Sequence, residues 1–238
     1  MLTGQTVVIM GGSSGIGLAT ARLAADAGAH IIITGRDRDR LREAVASLPA
    51  GAVGETVDAT DRAAVQAFCA SVGPFHHLVL SVSSGGGAGP FATLDMAALR
   101  QAIEGKLMAQ LQTAQAALKH IDGRGSMTFV TAASARAAFS GTAGLAVING
   151  GLNAAVATLA LELKPLRVNA VSPGIIDTPI WHRWPEEQRT AMLTREAQSL
   201  PVGRIGTAEE VAAAIMLLIS NGFMTGGVID CDGGAHVK

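Results

Sequence analysis

Short runs of β-branched and aliphatic residues alternate along the chain with segments of helical apolar spacing. The runs are TVVIM (Thr6 to Met10), HIIIT (His30 to Thr34), VGETV (Val53 to Val57), HLVLSV (His77 to Val82), SMTFVT (Ser126 to Thr131), LRVNAVS (Leu166 to Ser172) and GVID (Gly227 to Asp230). Most are continuously apolar, as strands covered on both faces are. The pattern predicts an α/β fold in which a parallel seven-stranded sheet carries helices on both faces, with right-handed crossovers making it doubly wound. No repeat or polar linker interrupts the alternation, so residues 1–238 are read as a single domain.

Two segments break the pattern, Ser83 to Pro90 (SSGGGAGP) and Pro173 to Pro185. Both follow predicted strands, which places them at the carboxyl edge of the sheet, where open α/β folds bind ligands. In DMAALRQAIEGKLMAQLQTAQAALKHI an apolar stripe runs through Leu99, Ile103, Gln110, Ala114, Ala117 and Ile121, and Lys106 falls on that stripe. The stretch from Gly141 to Leu163 reads as a turn followed by a helix with no ionisable side chain before Glu162.

Composition narrows the class. Hydrophobic residues make up 49% of the chain and charged residues 16%, which calls for elements buried on two sides or for a large subunit interface. No window approaches about 18 uninterrupted apolar residues, and Met1 to Gln5 lacks the regions of a secretion signal. A cytoplasmic protein with no membrane partner is expected. Cys69 and Cys231 stand alone, without CxxC or Cys/His spacing, so no metal site is expected and both are read as buried reduced thiols. A net charge of -1 with scattered basic residues argues against a nucleic-acid partner. The one dense basic cluster is Arg36 to Arg42.

Chemistry enters at GGSSGIGLATARLAADAG, where Gly11, Gly15 and Gly17 separate the first strand from a helix starting near Ile16. Glycines let the backbone turn tightly and approach a pyrophosphate, and the helix amino terminus stabilises its charge. Ser13, Ser14, Ile16 and the three glycines are the candidate contacts. The spacing G-x-x-x-G-x-G resembles the glycine motif of the short-chain dehydrogenase/reductase family, and the likeness runs from Gly4 to about Gly234. It implies a Rossmann-type fold, a nicotinamide cofactor and a small-molecule substrate. The resemblance also implies an acid on strand three that holds the adenine, at Asp58 beside Ala59; the family's asparagine-rich motif after strand four is altered here to LSVS (Leu80 to Ser83), with Ser81 as the candidate cofactor contact. The turn beside the nicotinamide would be Pro173 and Gly174, with Ile176 and Thr178 at the carboxamide and a substrate loop over about 175–200. PVGRIGTAEEVA and GGVIDCDGG look like the family's carboxyl-terminal signatures.

An acid at the end of strand two would accept hydrogen bonds from a free ribose 2'-hydroxyl. Gly35 stands there, and Arg36 follows with a cation suited to a 2'-phosphate. NADP is therefore expected rather than NAD; in the alternative, Asp37 reaches the ribose and Arg36 is solvated.

The family's proton donor is a tyrosine, with a lysine four residues later. Here the resemblance puts Leu145 and Asn149 at those positions, and the chain has no tyrosine. Its serine falls at Ala132, with Thr131 and Ser134 as nearby hydroxyls, and its helix asparagine falls at Lys106. Candidate catalytic groups are therefore Lys106, Thr131, Ser134, Asn149 and His182. Each has a plainer alternative: Lys106 reaching solvent, Asn149 paired locally, His182 on a surface lid between Trp181 and Trp184. Three functions stay open: an oxidoreductase with a non-standard acid, an NADP-binding protein without turnover, and a non-redox isomerase or dehydratase. The family also implies a homodimer or homotetramer paired through the helices around Lys106 and Gly151.

Overall fold

The computed structural model describes residues 1–237. Its main sheet holds β1 (Thr6–Met10), β2 (His30–Gly35), β3 (Val53–Thr56), β4 (Phe75–Leu80), β5 (Ile121–Val130), β6 (Arg167–Pro173) and β9 (Val228–Cys231). The seven strands are all parallel, in the order β3-β2-β1-β4-β5-β6-β9. That order reverses direction between β1 and β4, and a crevice opens at their carboxyl ends. The helices are α1 (Gly15–Asp26), α2 (Arg38–Ala46), α3 (Arg62–Val72), α4 (Met96–Ala102), α5 (Ala109–Ala117), α6 (Ala143–Glu162), α7 (Glu186–Ser199) and α8 (Ala208–Ser220).

Two-sided burial accounts for the continuous apolar strands. Val8 and Met10 of β1 join a core with Val65 and Phe68 of α3 and Leu152 and Val156 of α6. Val7 and Ile9 point the other way, into a core with Ala21 of α1, Leu41 of α2 and Val211 and Ile215 of α8. A one-residue slip of β1 would exchange the two sets. Helix ends are tied by side chains. Asp37 and Asp61 cap α2 and α3 by accepting from backbone amides, and Thr207 with Glu210 forms a capping box on α8. Arg167 is buried, and its guanidinium donates to the carbonyls of Leu218 and Ile219 at the carboxyl end of α8.

Several boundaries depart from expectation. Ile121 is not the end of the long helical stripe but the first residue of β5, because the helix stops at Ala117 and the chain turns through Leu118 to His120. The stripe itself is interrupted by a π-helical turn over Ile103–Met108. The predicted substrate loop contains a helix, α7, and a strand β7 (Ile176–Asp177) pairing in parallel with β8 (Gly206–Thr207). Cys69 is buried, and its thiol is pushed up to about 11, but Cys231 is only half-buried. Counting uninterrupted apolar residues also passed over α6, which is long and apolar enough to cross a membrane by length and composition. Here its inner residues Ile148, Leu152 and Val156 are buried in the fold.

At the amino edge of the sheet, His77 is buried between Gln5 and Ser126, with Nε2 2.8 Å from Gln5 Oε1 and Nδ1 2.8 Å from Ser126 Oγ. Burial, then the Arg167 charge, pushes the imidazole down to about 4, so the folded protein holds it neutral while the unfolded chain protonates it near 6.5. Its contribution is present above pH 6.5 and is lost as pH falls toward 4. By linkage, about 2 kcal/mol of stability should disappear between pH 7 and pH 5. Urea unfolding at the two pH values should show that loss in the parent protein and a smaller one in His77→Gln. An equal loss in both would assign it to other groups.

Candidate active site

The crevice where β1 and β4 part is a cleft of about 960 Å³ whose lining includes Gly11, Arg36, Lys106, Asn149 and Arg183. Its floor begins at the glycine turn. Gly11 has φ +83°, and a β-carbon there would lie 2.9 Å from the carbonyl carbon of Ser81. Gly15 opens α1 at φ +52°, and a β-carbon on Gly17 would lie 2.2 Å from the Gly11 carbonyl oxygen. The first turn of α1 holds no acidic side chain, so its free amides keep their full attraction for an anion. Gly11, Ser13, Ser14, Gly15 and Ile16 line the cleft here, while Gly17 lies behind them as the point of helix-strand contact.

At the end where the sequence leads one to expect the adenine, Arg36, Asp58 and Ala59 line the cleft with Arg38 and Arg40. A side chain at Gly35 would meet Ser13, whose Oγ lies 2.8 Å from the β-carbon position, so the place of a ribose-binding acid is closed. Asp37 Oδ1 accepts from the amides of Asp39 and Arg40 at 3.1 and 3.0 Å, and these bonds hold its carboxyl below the usual range. Its role is to start α2. Asp58 accepts from the Thr60 amide and hydroxyl at 2.9 and 2.8 Å, bonds that lower its pKa, with a smaller contribution from the Arg36 charge. Arg36 and Arg38 form no ion pair among the described residues.

The inner end is built on the π-helical turn. Lys106 lines the cleft and donates from Nζ to the Thr131 carbonyl at 3.1 Å. Burial alone pushes its ammonium down to about 8. One turn later the buried Gln110 donates to the Val82 and Val130 carbonyls at 3.0 and 3.1 Å, clamping the ends of β4 and β5 under the lysine. Asn149 lines the opposite wall with Leu145 and Ile148. Its Nδ2 donates to Ser134 Oγ and to the Leu145 carbonyl, while its Oδ1 is buried without a partner. That orphan acceptor suits a hydroxyl donor such as a ribose. Pro173, Gly174, Ile176 and Thr178 line the same end, as does Ser81.

Not every candidate meets there. The Thr131 hydroxyl donates to the Val171 carbonyl at 3.2 Å, so only its main chain serves the cleft. Ser134 is buried and receives the Asn149 amide but is not among the residues lining the cleft. His182 sits exposed on a 3-10 turn, Pro179–Arg183, outside the lining. Its neighbours differ. Trp181 donates to the Ile176 carbonyl at 2.7 Å and lines the cleft, with Trp184 edge-on at 5.9 Å. Arg183, which sequence reasoning passed over, also lines it. At the glycine-rich rim Ser84 Oγ donates to the Ala102 carbonyl and Gly87 is buried against the walls at Leu99, Leu145 and Ile148, while Gly85 and Gly86 are exposed.

Comparison with known proteins agrees with this architecture. A family model described as enoyl-(acyl carrier protein) reductase matches residues 11–236. The chain is similar to the short-chain dehydrogenase/reductase ATR9 of Stachybotrys chlorohalonatus, at 31% identity over 100% of this chain and 99% of the relative. It is 33% identical to the cis-4-hydroxycyclohexanecarboxylate dehydrogenase of Sinomonas cyclohexanicum, over 97% of this chain and 96% of that one. A crystal structure of a small-chain dehydrogenase in complex with NADPH superposes with a TM-score of 0.84 at 29% identity, covering 98% of this chain and 100% of that one.

Proposed function

Since this chain belongs to the short-chain dehydrogenase/reductase family, we propose that it is an NADP-dependent oxidoreductase interconverting a small carbonyl compound and its alcohol, with Lys106 as the proton donor. The carrying observation is an ammonium in the cleft wall, anchored on Thr131 at 3.1 Å and lowered by burial to about 8. A general acid works best when its pKa lies near the operating pH. NADPH, when bound, supplies the hydride.

The chain's own residues then have these tasks. Amides of the glycine turn and the start of α1 hold the pyrophosphate, and Arg36 meets the 2'-phosphate. Asn149 Oδ1 accepts from a ribose hydroxyl. Lys106 gives its proton to the substrate oxygen, and Leu145, Ile148 and Trp181 exclude water around it. The relative acting on a hydroxycyclohexanecarboxylate supports a small alcohol or ketone as substrate. Exposed Val147 and Leu161 on α6 support assembly as a homodimer or homotetramer through that helix.

Cofactor oxidation with a panel of ketones, aldehydes and quinones tests the reading. NADPH binding without turnover across the panel would leave a binding protein, which the lack of any tyrosine and the neutral Asn149 side chain favour. Cofactor choice has its own test. Arg36→Met should weaken NADP binding by about ten- to a hundredfold, the worth of a charge-assisted bond, and leave NAD binding unchanged. Calorimetric titration reads both, and an equal loss for the two nucleotides would remove Arg36 from the phosphate site.

A further inference from the structure

Hydride transfer with Lys106 as acid leaves Arg183, on the substrate side of the cleft, without a task. Arg183 lines the inner end, and its side chain makes no hydrogen bond or ion pair among the described residues. Its Nη1 lies 2.9 Å from where a β-carbon on Gly85 would stand, so the guanidinium overlies the rim glycines. The rim in turn rests on the lysine's own turn: a β-carbon on Gly105 would come within 2.6 Å of Ser84 Cβ. Arg183 and the helical turn that carries Lys106 thus meet at the same rim segment.

The charge around them is unbalanced. The acids lining the cleft are Asp37, Asp39 and Asp58. All three lie at the adenine end, where Asp37 caps α2, Asp58 is bonded to Thr60 and Asp39 pairs with Arg42 at 3.2 Å. At the inner end the walls are the apolar Leu145, Ile148, Ile180 and Trp181 together with neutral polar residues such as Ser81, Asn149 and Thr178. Arg183 is exposed at the mouth of the cleft while Lys106 lies deeper, and two cations with no acid between them favour an anion at this end. The pyrophosphate is already served by the glycine turn and the α1 amides. We propose that Arg183 binds a carboxylate on the substrate, so that the substrate class is a small keto acid and its hydroxy acid, with the keto oxygen turned to Lys106. This rests on the hydride-transfer reading of the same cleft. Arginine suits the task because its planar fork matches both oxygens of a carboxylate.

The test is binding rather than turnover. Pyruvate, acetoacetate, levulinate and benzoylacetate are titrated calorimetrically into the full chain, each beside its methyl ester, with and without saturating NADP+. At least one acid should bind the nucleotide-loaded protein about tenfold or more tighter than its ester. Arg183→Gln should abolish that preference, Arg183→Lys should keep part of it, and NADP+ affinity should move less than about twofold in either. Equal binding of acid and ester across the series overturns the proposal. So does a preference that survives Arg183→Gln, or a variant in which NADP+ itself binds markedly more weakly, since the guanidinium would then serve the cofactor's phosphates. If the parent chain takes up no NADP+, the hydride-transfer reading fails, and the titrations without nucleotide still decide whether Arg183 selects a carboxylate.

Discussion

Lys106→Met should lower NADPH-dependent turnover by about 10²- to 10⁴-fold, the usual contribution of a general acid, while NADP binding stays within a few-fold of the parent. Methionine keeps the unbranched stem and most of the volume, so the π-helical turn and the Gln110 clamp should persist. What disappears is the proton and the bond to the Thr131 carbonyl, whose loss costs about 1 kcal/mol of stability. The pH dependence separates a chemical role from a merely structural one. In the parent protein the ammonium is the reactive form for carbonyl reduction, so that rate should fall as pH rises through about 8. Alcohol oxidation needs the neutral amine and should rise over the same window. Both dependences should vanish in the variant. A variant that reduces substrate at the parent rate, with the same pH profile, would assign the proton to a water or to another group.

How the lysine comes to face the cleft explains what the sequence could and could not reveal. Its place on the apolar stripe of Leu99, Ile103 and Gln110 was readable, because a side chain on that stripe must face the sheet. The π-helical turn that carries it has no compositional mark: IEGKLM reads as ordinary helix, and the wider turn is fixed by packing against Ser84 and the strand ends. The strands were legible for the opposite reason. Burial on both sides forces β-branched residues at successive positions, as Val7, Val8 and Ile9 show. Where two elements share apolar spacing the boundary blurs, and Ile121 fits a helix stripe and a strand start equally well.

Polar roles were harder to read than positions. His182 attracted attention through its titration range, yet on a 3-10 turn a shift of one residue rotates a side chain by about 120°. It is Arg183 that lines the cleft. Nothing local distinguishes the two. Asp37 did carry a readable signal, an aspartate just ahead of a helical segment, which is a cap signature. Reading it that way would have withdrawn Asp37 from the ribose and strengthened the case for Arg36. SSGGGAGP has the composition of a mobile loop, but Gly87 is buried and a β-carbon on Gly144 would lie 2.5 Å from its carbonyl oxygen, so here glycine serves close packing.

Close packing also sets the second large effect: Gly17→Ala should abolish useful cofactor affinity, by about a hundredfold or more, and lower the melting temperature. The added carbon would stand 2.2 Å from the Gly11 carbonyl oxygen and 2.9 Å from its carbon, atoms of backbone rather than of a flexible side chain. Alanine's better helix propensity contributes about 1 kcal/mol in favour of the variant. Overpacking commonly costs 1–3 kcal/mol, occasionally more, and a rigid backbone contact this short belongs at or above the upper end. A net loss of about 2 kcal/mol in a chain of this length lowers the melting temperature by about 4–8 °C. The larger consequence is geometric. Relief requires α1 to move away from β1, which carries its amino-terminal amides off the line on which they meet a pyrophosphate. Thermal melts with and without NADP should therefore show a lower transition that the nucleotide no longer raises. Gly222→Ala is the matched control, since a β-carbon there meets nothing within 4 Å, and it should leave both the melt and the nucleotide response as in the parent. If Gly17→Ala keeps a parental nucleotide response, the pyrophosphate does not rest on this turn, and the roles assigned to Arg36 and Asn149 lose their anchor.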